Sequence, residues 1–221
     1  MIGIMQPYFF PYIGYFQLID VVDTYVNLDH VSFMKRSYMV RNTLKNDVRV
    51  TIPVSNGSQN KNCVDVFVNF DDKWFSKLLK KVENLYSKSK NYSEIMDKFI
   101  VPLNDYNKLS ISQFNLNSIK NVCDYLDIET NIIDSSVNMT ELKKADGLID
   151  ISKKLKHDSY VNAIGGQQLY QKDYFKSKDI ELSFIEMGDV QFKNKYASIL
   201  DLLFEYDKEY IKGELKKYKL V

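Results

Sequence analysis

A strand, a loop, a helix and a second strand follow one another within the first thirty residues, and this order constrains the fold most. Residues 2–5 read as a short apolar strand, residues 12–22 carry apolar side chains at helical spacing, and residues 25–29 read as a second strand. A helix between two such strands indicates a parallel pair that is joined by a right-handed crossover.

The same alternation returns in the second half of the chain. The predicted strands are 128–133, 160–164 and 181–186, and the predicted helices are 140–155 with Thr140 as its N-cap, 167–176 and 197–206. Alternating units of this kind predict an α/β fold with a mostly parallel sheet and helices on both faces.

The middle of the chain reads as an insertion. We expect a loop at 31–47, an antiparallel hairpin from 48–52 and 64–70, helices at 72–88 and 92–106, and a helix that Ser110 or Ser112 caps and that ends at Leu126. The prediction is therefore one domain over residues 1–221, in which residues 48–107 form an inserted hairpin and helical cap over the carboxyl edge of the sheet.

Composition narrows the function classes. The net charge of +1 gives no electrostatic reason to expect a nucleic-acid partner. The two cysteines, Cys63 and Cys123, fit no disulfide framework, and no His/Cys/Asp cluster has the spacing of a metal site. Because there is no signal-peptide pattern and no apolar run approaching about 18 residues, we expect a cytoplasmic protein without membrane insertion.

The loop after the first strand is unusually aromatic. Residues 6–16 hold six aromatic rings, two prolines and one glycine. Gln6 offers an amide, and Tyr8, Tyr12 and Tyr15 offer hydroxyls on rigid rings, as a pocket for a sugar or a nucleotide would require. The alternative is a proline-shaped turn that is packed with aromatic core.

Polar residues cluster after the second strand. His30 is the leading candidate for a general base because histidine titrates near neutral pH, and Asp29 would orient its ring. Lys35 and Arg41, with Asn42, are candidates for binding a diphosphate. The alternatives are a hydrogen-bonded surface histidine and a solvated basic loop.

Two later segments complete the set of candidates. Gly165 and Gly166 follow a predicted strand and open a short helix, where backbone N–H groups can hold an anion or a hydroxyl-rich ligand, although two glycines also make an ordinary turn. Ser198 is a candidate ligand contact or simply an N-cap, and Asp201 follows it one turn later.

Together these motifs resemble the WbqC-like protein family. The resemblance rests first on the run from Gln6 to Phe16. Further matches are Asp23, Leu28-Asp29, Lys35, Arg41-Asn42, Thr51-Ile52-Pro53-Val54, Gly165-Gly166 with Tyr170 and Phe175, and Ser198-Ile199-Leu200-Asp201-Leu202-Leu203. The chain departs from the family pattern at 187–196 and at Glu205-Tyr206-Asp207.

The resemblance implies a role in bacterial O-antigen, lipopolysaccharide or other surface-polysaccharide biosynthesis. It implies an acyl or aminoacyl transferase that places a group such as glycyl on the amine of a dTDP- or UDP-linked amino sugar. His30 and Asp29 would then be catalytic, and Gln6, Tyr8, Tyr12, Tyr15, Lys35, Arg41, Asn42, Gly165, Gly166, Ser198 and Asp201 would bind substrate. The cofactor, the acyl donor and the oligomeric state stay open.

A second similarity concerns the segment from Tyr12 to Tyr15. Its layout is similar to that of nucleotidyltransferases that carry His-Ile-Gly-His in the same loop and hold ATP phosphates there. Tyrosine is neutral at pH 7, so either ATP is not used or its charge is met elsewhere, for example by Lys35 and Arg41. The rival predictions are therefore an ATP-dependent nucleotidyltransferase or ligase, and a non-catalytic sugar-nucleotide-binding protein.

Overall fold

Ten strands and eight α-helices lie in the part of the chain that the computed structural model describes, residues 1–137 and 139–221. The strands are β1 (Ile2–Met5), β2 (Thr24–Asn27), β3 (Arg41–Leu44), β4 (Val48–Thr51), β5 (Val54–Ser55), β6 (Phe67–Val68), β7 (Asn131–Ile133), β8 (Ser159–Ala163), β9 (Glu181–Met187) and β10 (Tyr218–Leu220). The α-helices are α1 (Ile13–Val21), α2 (Asp72–Tyr86), α3 (Tyr92–Ile95), α4 (Ile111–Tyr125), α5 (Lys144–Lys154), α6 (Lys172–Lys176), α7 (Ile199–Glu205) and α8 (Lys208–Leu215). Shorter 3₁₀ segments are Lys45–Asp47, Cys63–Asp65, Val101–Asn104 and Ile164–Gln168, and Met96–Ile100 is a π-helical turn.

The central sheet has the strand order β10-β9-β8-β1-β2-β7. All neighbouring pairs are parallel except β9 and β10, which are antiparallel. Numbered along the chain, the order of these strands is 3-2-1-4-5-6, as in doubly wound nucleotide-binding folds. The predicted α/β class with a mostly parallel sheet is confirmed.

Helices cover both faces of this sheet, and each face contributes to its own apolar core. Ile4, Val26 and Tyr160 face the core that includes residues of α5 and α6. Tyr25 and Val161 face the larger core, which includes residues of α1, α4, α7 and α8 and of the insertion. This alternation along each strand follows from the two-residue period of the strand backbone.

Strand pairing in the insertion differs from the sequence prediction. Residues 41–44, predicted as a loop, form β3 and pair with β4, with Arg41 opposite Thr51. The segment 64–70, which was expected to pair with 48–52, contains β6, and β6 pairs instead with β5. The hairpin prediction was wrong because a short turn with two left-handed residues, Asn46 and Asp47, closes β3 onto its direct neighbour, and short connections dominate antiparallel pairs.

Helix boundaries were partly predicted. Ser110 caps α4 as expected, since its hydroxyl accepts from the N–H of Gln113 at 3.1 Å. The N-cap assigned to Thr140 was wrong: its hydroxyl accepts from the N–H of Leu142 at 3.1 Å, and α5 begins only at Lys144. Both α8 and β10 lie beyond the last helix that the sequence predicted.

Candidate functional site

The strand order of the sheet reverses between β1 and β8. From β1 the chain runs outward through β2 and β7, whereas β8 and β9 lie on the other side of β1. Open α/β sheets bind their ligands outside the carboxyl ends of the strands at such a reversal. Gln6 directly follows β1 and the segment Ile164–Gln168 directly follows β8, so two predicted site segments meet there.

A cavity of about 220 Å³ opens at this edge of the sheet, and we call it the His30 cavity. Its lining includes Gln6 after β1, His30 after β2 and Ser136 after β7. Lys143 and Lys144, at the start of α5, also line it. An amide, an imidazole, a hydroxyl and two ammonium groups therefore share one cavity.

Asp29 is a buried hydrogen-bond centre just after β2. Its carboxylate accepts from the Ser135 hydroxyl at 2.6 Å, from the Ser136 N–H and hydroxyl at 2.9 and 3.0 Å, and from the Ser112 hydroxyl at 3.3 Å. Its backbone carbonyl accepts from the Cys63 thiol at 2.9 Å. Asp29 thus joins the end of β7, the start of α4 and the insertion at the carboxyl edge.

His30 is held differently from the predicted pair with Asp29. Within the described chain, the hydrogen bonds to the Asp29 carboxylate come from serines and not from the imidazole. The Nδ1 atom of His30 lies 3.5 Å from Nδ2 of Asn62, and its backbone N–H donates to the Ser136 hydroxyl at 3.2 Å. The predicted pair is therefore replaced by separate contacts, with the serines on Asp29 and with Asn62 beside the His30 ring.

Buried polar side chains hold the backbone of residues 6–12, which we call the opening loop. Asn42 donates to two consecutive loop carbonyls at 3.0 and 2.7 Å, Ser198 donates to the Phe10 carbonyl at 2.8 Å, and Asn115 donates to a further loop carbonyl at 3.1 Å. These contacts fix Phe10 at a φ of 41°, in the left-handed region. Asn42 and Ser198, predicted to bind substrate, are therefore buried residues that shape the loop.

The three predicted tyrosines fall into two groups. Tyr15 is buried, its hydroxyl donates to the Gln6 carbonyl at 2.7 Å and contacts the Tyr25 hydroxyl, and burial raises the pKa of both tyrosines well above the usual value. Tyr8 is only partly buried, and its hydroxyl lies 3.4 Å from Oε1 of Gln6. Tyr12, at the N-cap of α1, is also partly exposed. Tyr15 therefore fixes the start of the loop, while Tyr8 and Tyr12 remain open to a ligand.

A second cavity, of about 180 Å³, lies on the α1 side of the reversal, and we call it the Tyr12 cavity. Its lining includes Tyr12, Tyr196, Lys195 and Glu186, and the two tyrosine rings have their centroids 5.9 Å apart. Gly14 also lines it, and a Cβ at this position would clash with the Tyr12 ring. The glycine thus lets that ring lie against the first turn of α1.

The predicted basic residues lie elsewhere. Lys35 is exposed in the segment after β2, and Arg41 is half-buried in β3. In the described residues, neither lines the His30 or the Tyr12 cavity. The structure therefore does not bring the predicted diphosphate-binding pair to the carboxyl-edge cavities.

Asp201 belongs to a third cavity, of about 320 Å³. Its carboxylate accepts from the backbone N–H of Lys45 at 2.8 Å and from the Tyr86 hydroxyl. Burial raises the pKa of Asp201 to about 6, against the opposing effect of the Lys45 N–H. Asp201 therefore links the β3–β4 hairpin to α2 and α7 rather than joining His30.

Gly165 and Gly166 lie in the 3₁₀ segment after β8. Gly166 is buried, and a Cβ there would come within 2.6 Å of the Asn162 amide. Gly165 is exposed and its missing side chain faces open space. The second glycine is required for packing, and the first leaves the turn accessible near the Tyr12 cavity, which Ile164 lines.

Metal binding and thiolate chemistry find no support in the described residues. In residues 1–137 and 139–221, no group of three or more His, Cys, Asp or Glu side chains is placed to hold a metal ion. Burial raises the pKa of Cys63 and of Cys123 to about 12, so neither thiol is a thiolate nucleophile near pH 7. Among the described helices, none combines the length and apolar character of a transmembrane span.

Sequence reasoning missed several lining residues. Lys143 and Lys144 were placed inside a predicted helix, and their adjacent charges just before an apolar helical run were the available signal. Ser136 lies three residues after the end of β7, so the rule that pointed to Gln6 and His30 near strand ends applies to it as well.

One comparison with known proteins identifies a family, and none gives an activity. The sequence model of the WbqC-like protein family matches residues 6–212. The chain is similar to the uncharacterized protein Rv1507c of Mycobacterium tuberculosis (strain ATCC 25618 / H37Rv), with 24% identity over 219 residues and 94% of each chain covered. No solved structure matches the chain. Since the family match spans nearly the whole sequence, the chain belongs to the WbqC-like protein family.

Proposed function

We propose that the protein is a transferase that binds a nucleotide-diphosphate-linked amino sugar at the carboxyl edge of the sheet and forms an amide on the sugar amine. Family membership motivates the substrate class, since the sequence resemblance implies surface-polysaccharide biosynthesis and aminoacyl transfer. The strand order, shared with nucleotide-binding sheets, supports a nucleotide ligand.

One observation carries the proposal: the His30 cavity brings a histidine and two lysines to the carboxyl ends of β1, β2 and β7. Lys143 and Lys144 flank the N-terminal end of α5, and both are exposed. Two ammonium groups beside a helix N-terminus suit the charge of a diphosphate. Gln6, which has donor and acceptor groups, suits a sugar hydroxyl or the amine itself.

The proposed reaction needs a base. The neutral sugar amine attacks the carbonyl carbon of an activated aminoacyl donor, a C–N bond forms, and the bond to the phosphate or thiolate leaving group breaks with its electron pair. The amine proton passes to His30. The ring nitrogen that carries no proton in the neutral imidazole is the atom that we assign to this role.

The second cavity suits the second substrate. The Tyr12 cavity lies across the β1–β8 reversal and carries both a lysine and a carboxylate, Lys195 and Glu186. An aminoacyl donor has an ammonium group that a carboxylate attracts and an acidic leaving group that a lysine attracts.

The first experiment separates binding from turnover. Calorimetry should give saturable binding of dTDP- or UDP-linked amino sugars, and mass spectrometry should give a condensation product with an activated aminoacyl donor. An analogue in which a hydroxyl replaces the sugar amine should bind without forming an amide. Tight binding without any product across thioester and ATP-dependent donors would favour a non-catalytic sugar-nucleotide-binding protein.

The second experiment tests the base. His30→Gln should lower turnover by about 10²–10⁴-fold and leave binding nearly unchanged. His157→Gln is the matched control, because the chain has two histidines and His157 lies at the opposite edge of the sheet, 3.0 Å from the Thr24 hydroxyl. Equal turnover in the two variants would remove His30 from the mechanism.

A third experiment tests the lysines. Lys143→Ala with Lys144→Ala should raise KM at least tenfold for the diphosphate-linked sugar and much less for the free sugar. Lys153→Ala, at the other end of α5, is the control. An unchanged KM would place the diphosphate elsewhere.

The nucleotidyltransferase rival has weaker support. In that reading the second tyrosine of the Tyr12–Tyr15 segment takes the place of a phosphate-binding histidine. Tyr15 is instead buried, and its hydroxyl is engaged with Gln6 and Tyr25. Pyrophosphate release from ATP with a carboxylic acid substrate would nevertheless favour the rival, and assays should include it.

A further inference from the structure

A groove with a volume of about 520 Å³ runs between β4 and α2, apart from the carboxyl-edge cavities. Apolar side chains from both elements line it, including Val48 from β4 and Trp74 and Leu85 from α2. From Trp74 to Leu85 the helix is about 17 Å long at about 1.5 Å per residue, which equals about three helical turns. The groove is therefore long enough for a short helical segment.

One side of this groove is basic. Lys77, Lys80 and Lys81 line it, and no carboxylate does so in the part of the chain that the structure describes. Their spacing places them on one face of α2. Within the same residues none of the three forms an ion pair, and Lys81 donates only to the Arg49 carbonyl at 3.0 Å.

The combination of an apolar floor and a basic rim defines the chemistry of the occupant. Three neighbouring ammonium groups repel one another, and a negatively charged partner would relieve that repulsion. The apolar floor requires a partner with its own apolar stripe. A concave groove fits a peptide segment better than the flat surface of a bilayer.

We infer that this groove docks an acidic amphipathic helix of a partner protein, with its apolar stripe on Trp74 and Leu85 and its carboxylates toward Lys77 and Lys80. This inference rests on the surface alone and does not depend on the proposed transferase activity.

The chain provides its own reporter, since Trp74 is its single tryptophan. The probe is a synthetic 15-residue peptide without aromatic residues, with leucines at i, i+3, i+4 and i+7 and glutamates elsewhere. Its control is a peptide of the same composition in scrambled order, which keeps the charge and loses the apolar stripe. We expect a saturable change in Trp74 fluorescence with the first peptide and at least tenfold weaker binding of the second.

Charge reversal gives the second arm. Lys77→Glu with Lys80→Glu should weaken binding at least tenfold, whereas Lys172→Glu with Lys176→Glu on α6 should leave it within about twofold. Raising the salt concentration should also weaken binding. Equal binding of the scrambled peptide, no fluorescence change up to millimolar peptide, or equal effects of the two double variants would overturn the inference. Binding to anionic phosphatidylserine vesicles without peptide binding would assign the groove to a membrane surface and likewise overturn it.

Discussion

Removal of the Asp29 carboxylate should cost the fold more than any other single polar change at the carboxyl edge. The side chain is buried, and it accepts four hydrogen bonds, from Ser112, Ser135 and Ser136. In Asp29→Ala the Ser136 N–H, the Ser136 hydroxyl and the Ser112 hydroxyl, all buried, lose this acceptor, while the partly exposed Ser135 hydroxyl can bond to water instead.

The magnitude follows from these partners. Each buried donor left without an acceptor costs about 1–3 kcal/mol, and hydrogen bonds to a charged group contribute about 1.5–3 kcal/mol each. Burying the carboxylate has an opposing desolvation cost, so the contributions do not simply add. We expect Asp29→Ala to lower the free energy of unfolding by about 3–5 kcal/mol. Asp29→Asn keeps one acceptor oxygen, and rotated serine hydroxyls can accept from its amide, so about 1–2 kcal/mol is expected.

Urea unfolding at pH 7, followed by circular dichroism and extrapolated linearly, measures these differences. Asp134→Ala is the matched control, since Asp134 follows β7, the neighbour of β2, but is exposed, and its carboxylate pairs with Lys120 at the surface. That change should stay within about 0.5 kcal/mol. A loss below about 1 kcal/mol in Asp29→Ala, or a larger loss in Asp29→Asn than in Asp29→Ala, would refute the role of Asp29 as a hydrogen-bond centre.

Three further predictions concern other parts of the fold. Burial raises the pKa of the Asp201 carboxyl group from 3.8 to about 6, so the folded state binds a proton on this group more tightly than the unfolded state does. The stability that this proton contributes is fully present below pH 3.8 and is lost as the pH rises through 6. The unfolding free energy of Asp201→Asn should equal that of the wild type near pH 4 and exceed it by about 1–2 kcal/mol at pH 7, a figure reduced because the carboxyl group is partly exposed. Urea titrations that give the same difference between the two proteins at both pH values would contradict this. Gly14→Ala should lower the unfolding free energy by about 1–3 kcal/mol, because the new methyl meets the Tyr12 ring, whereas Gly165→Ala should change it by less than about 1 kcal/mol in the same assay. Tyr15→Phe removes a buried hydroxyl that donates to the opening loop, so thermal unfolding should report a loss of about 1–2 kcal/mol, and an unchanged midpoint would count against that contact.

The elements that were predictable from sequence carry a strong local signal. The units around β1, α1 and β2 combine an apolar strand, a helical period and a second apolar strand, and the structure reproduces them within two residues. The segment β3 was missed because Arg-Asn-Thr-Leu has no clear alternation, and its partner strand, not its own pattern, makes it a strand. The last strand, β10, has three residues, too few for a period to show.

A small boundary error hid part of the candidate site. The sequence placed a helix start at Thr140, whereas α5 begins at Lys144. The difference is about one helical turn. Lys143 and Lys144 therefore lie at the start of α5, where they line the His30 cavity, and not inside the helix as predicted. Helix ends are the part of a helix that local sequence specifies least, and at this end no side chain caps the backbone.

The opening loop shows why a residue pattern can identify a family without identifying a reaction. Three elements distant in sequence hold its carbonyls through Asn42, Asn115 and Ser198, so these residues specify the loop conformation. Of the polar residues that made the loop recognisable, Gln6 and Tyr12 line the carboxyl-edge cavities. A loop that is fixed in this way before a ligand arrives loses little conformational entropy on binding. A rigid loop is compatible with many ligands, so the side chains around it determine which ligand binds. Among these side chains in the described chain, His30 supplies the only imidazole at the carboxyl edge.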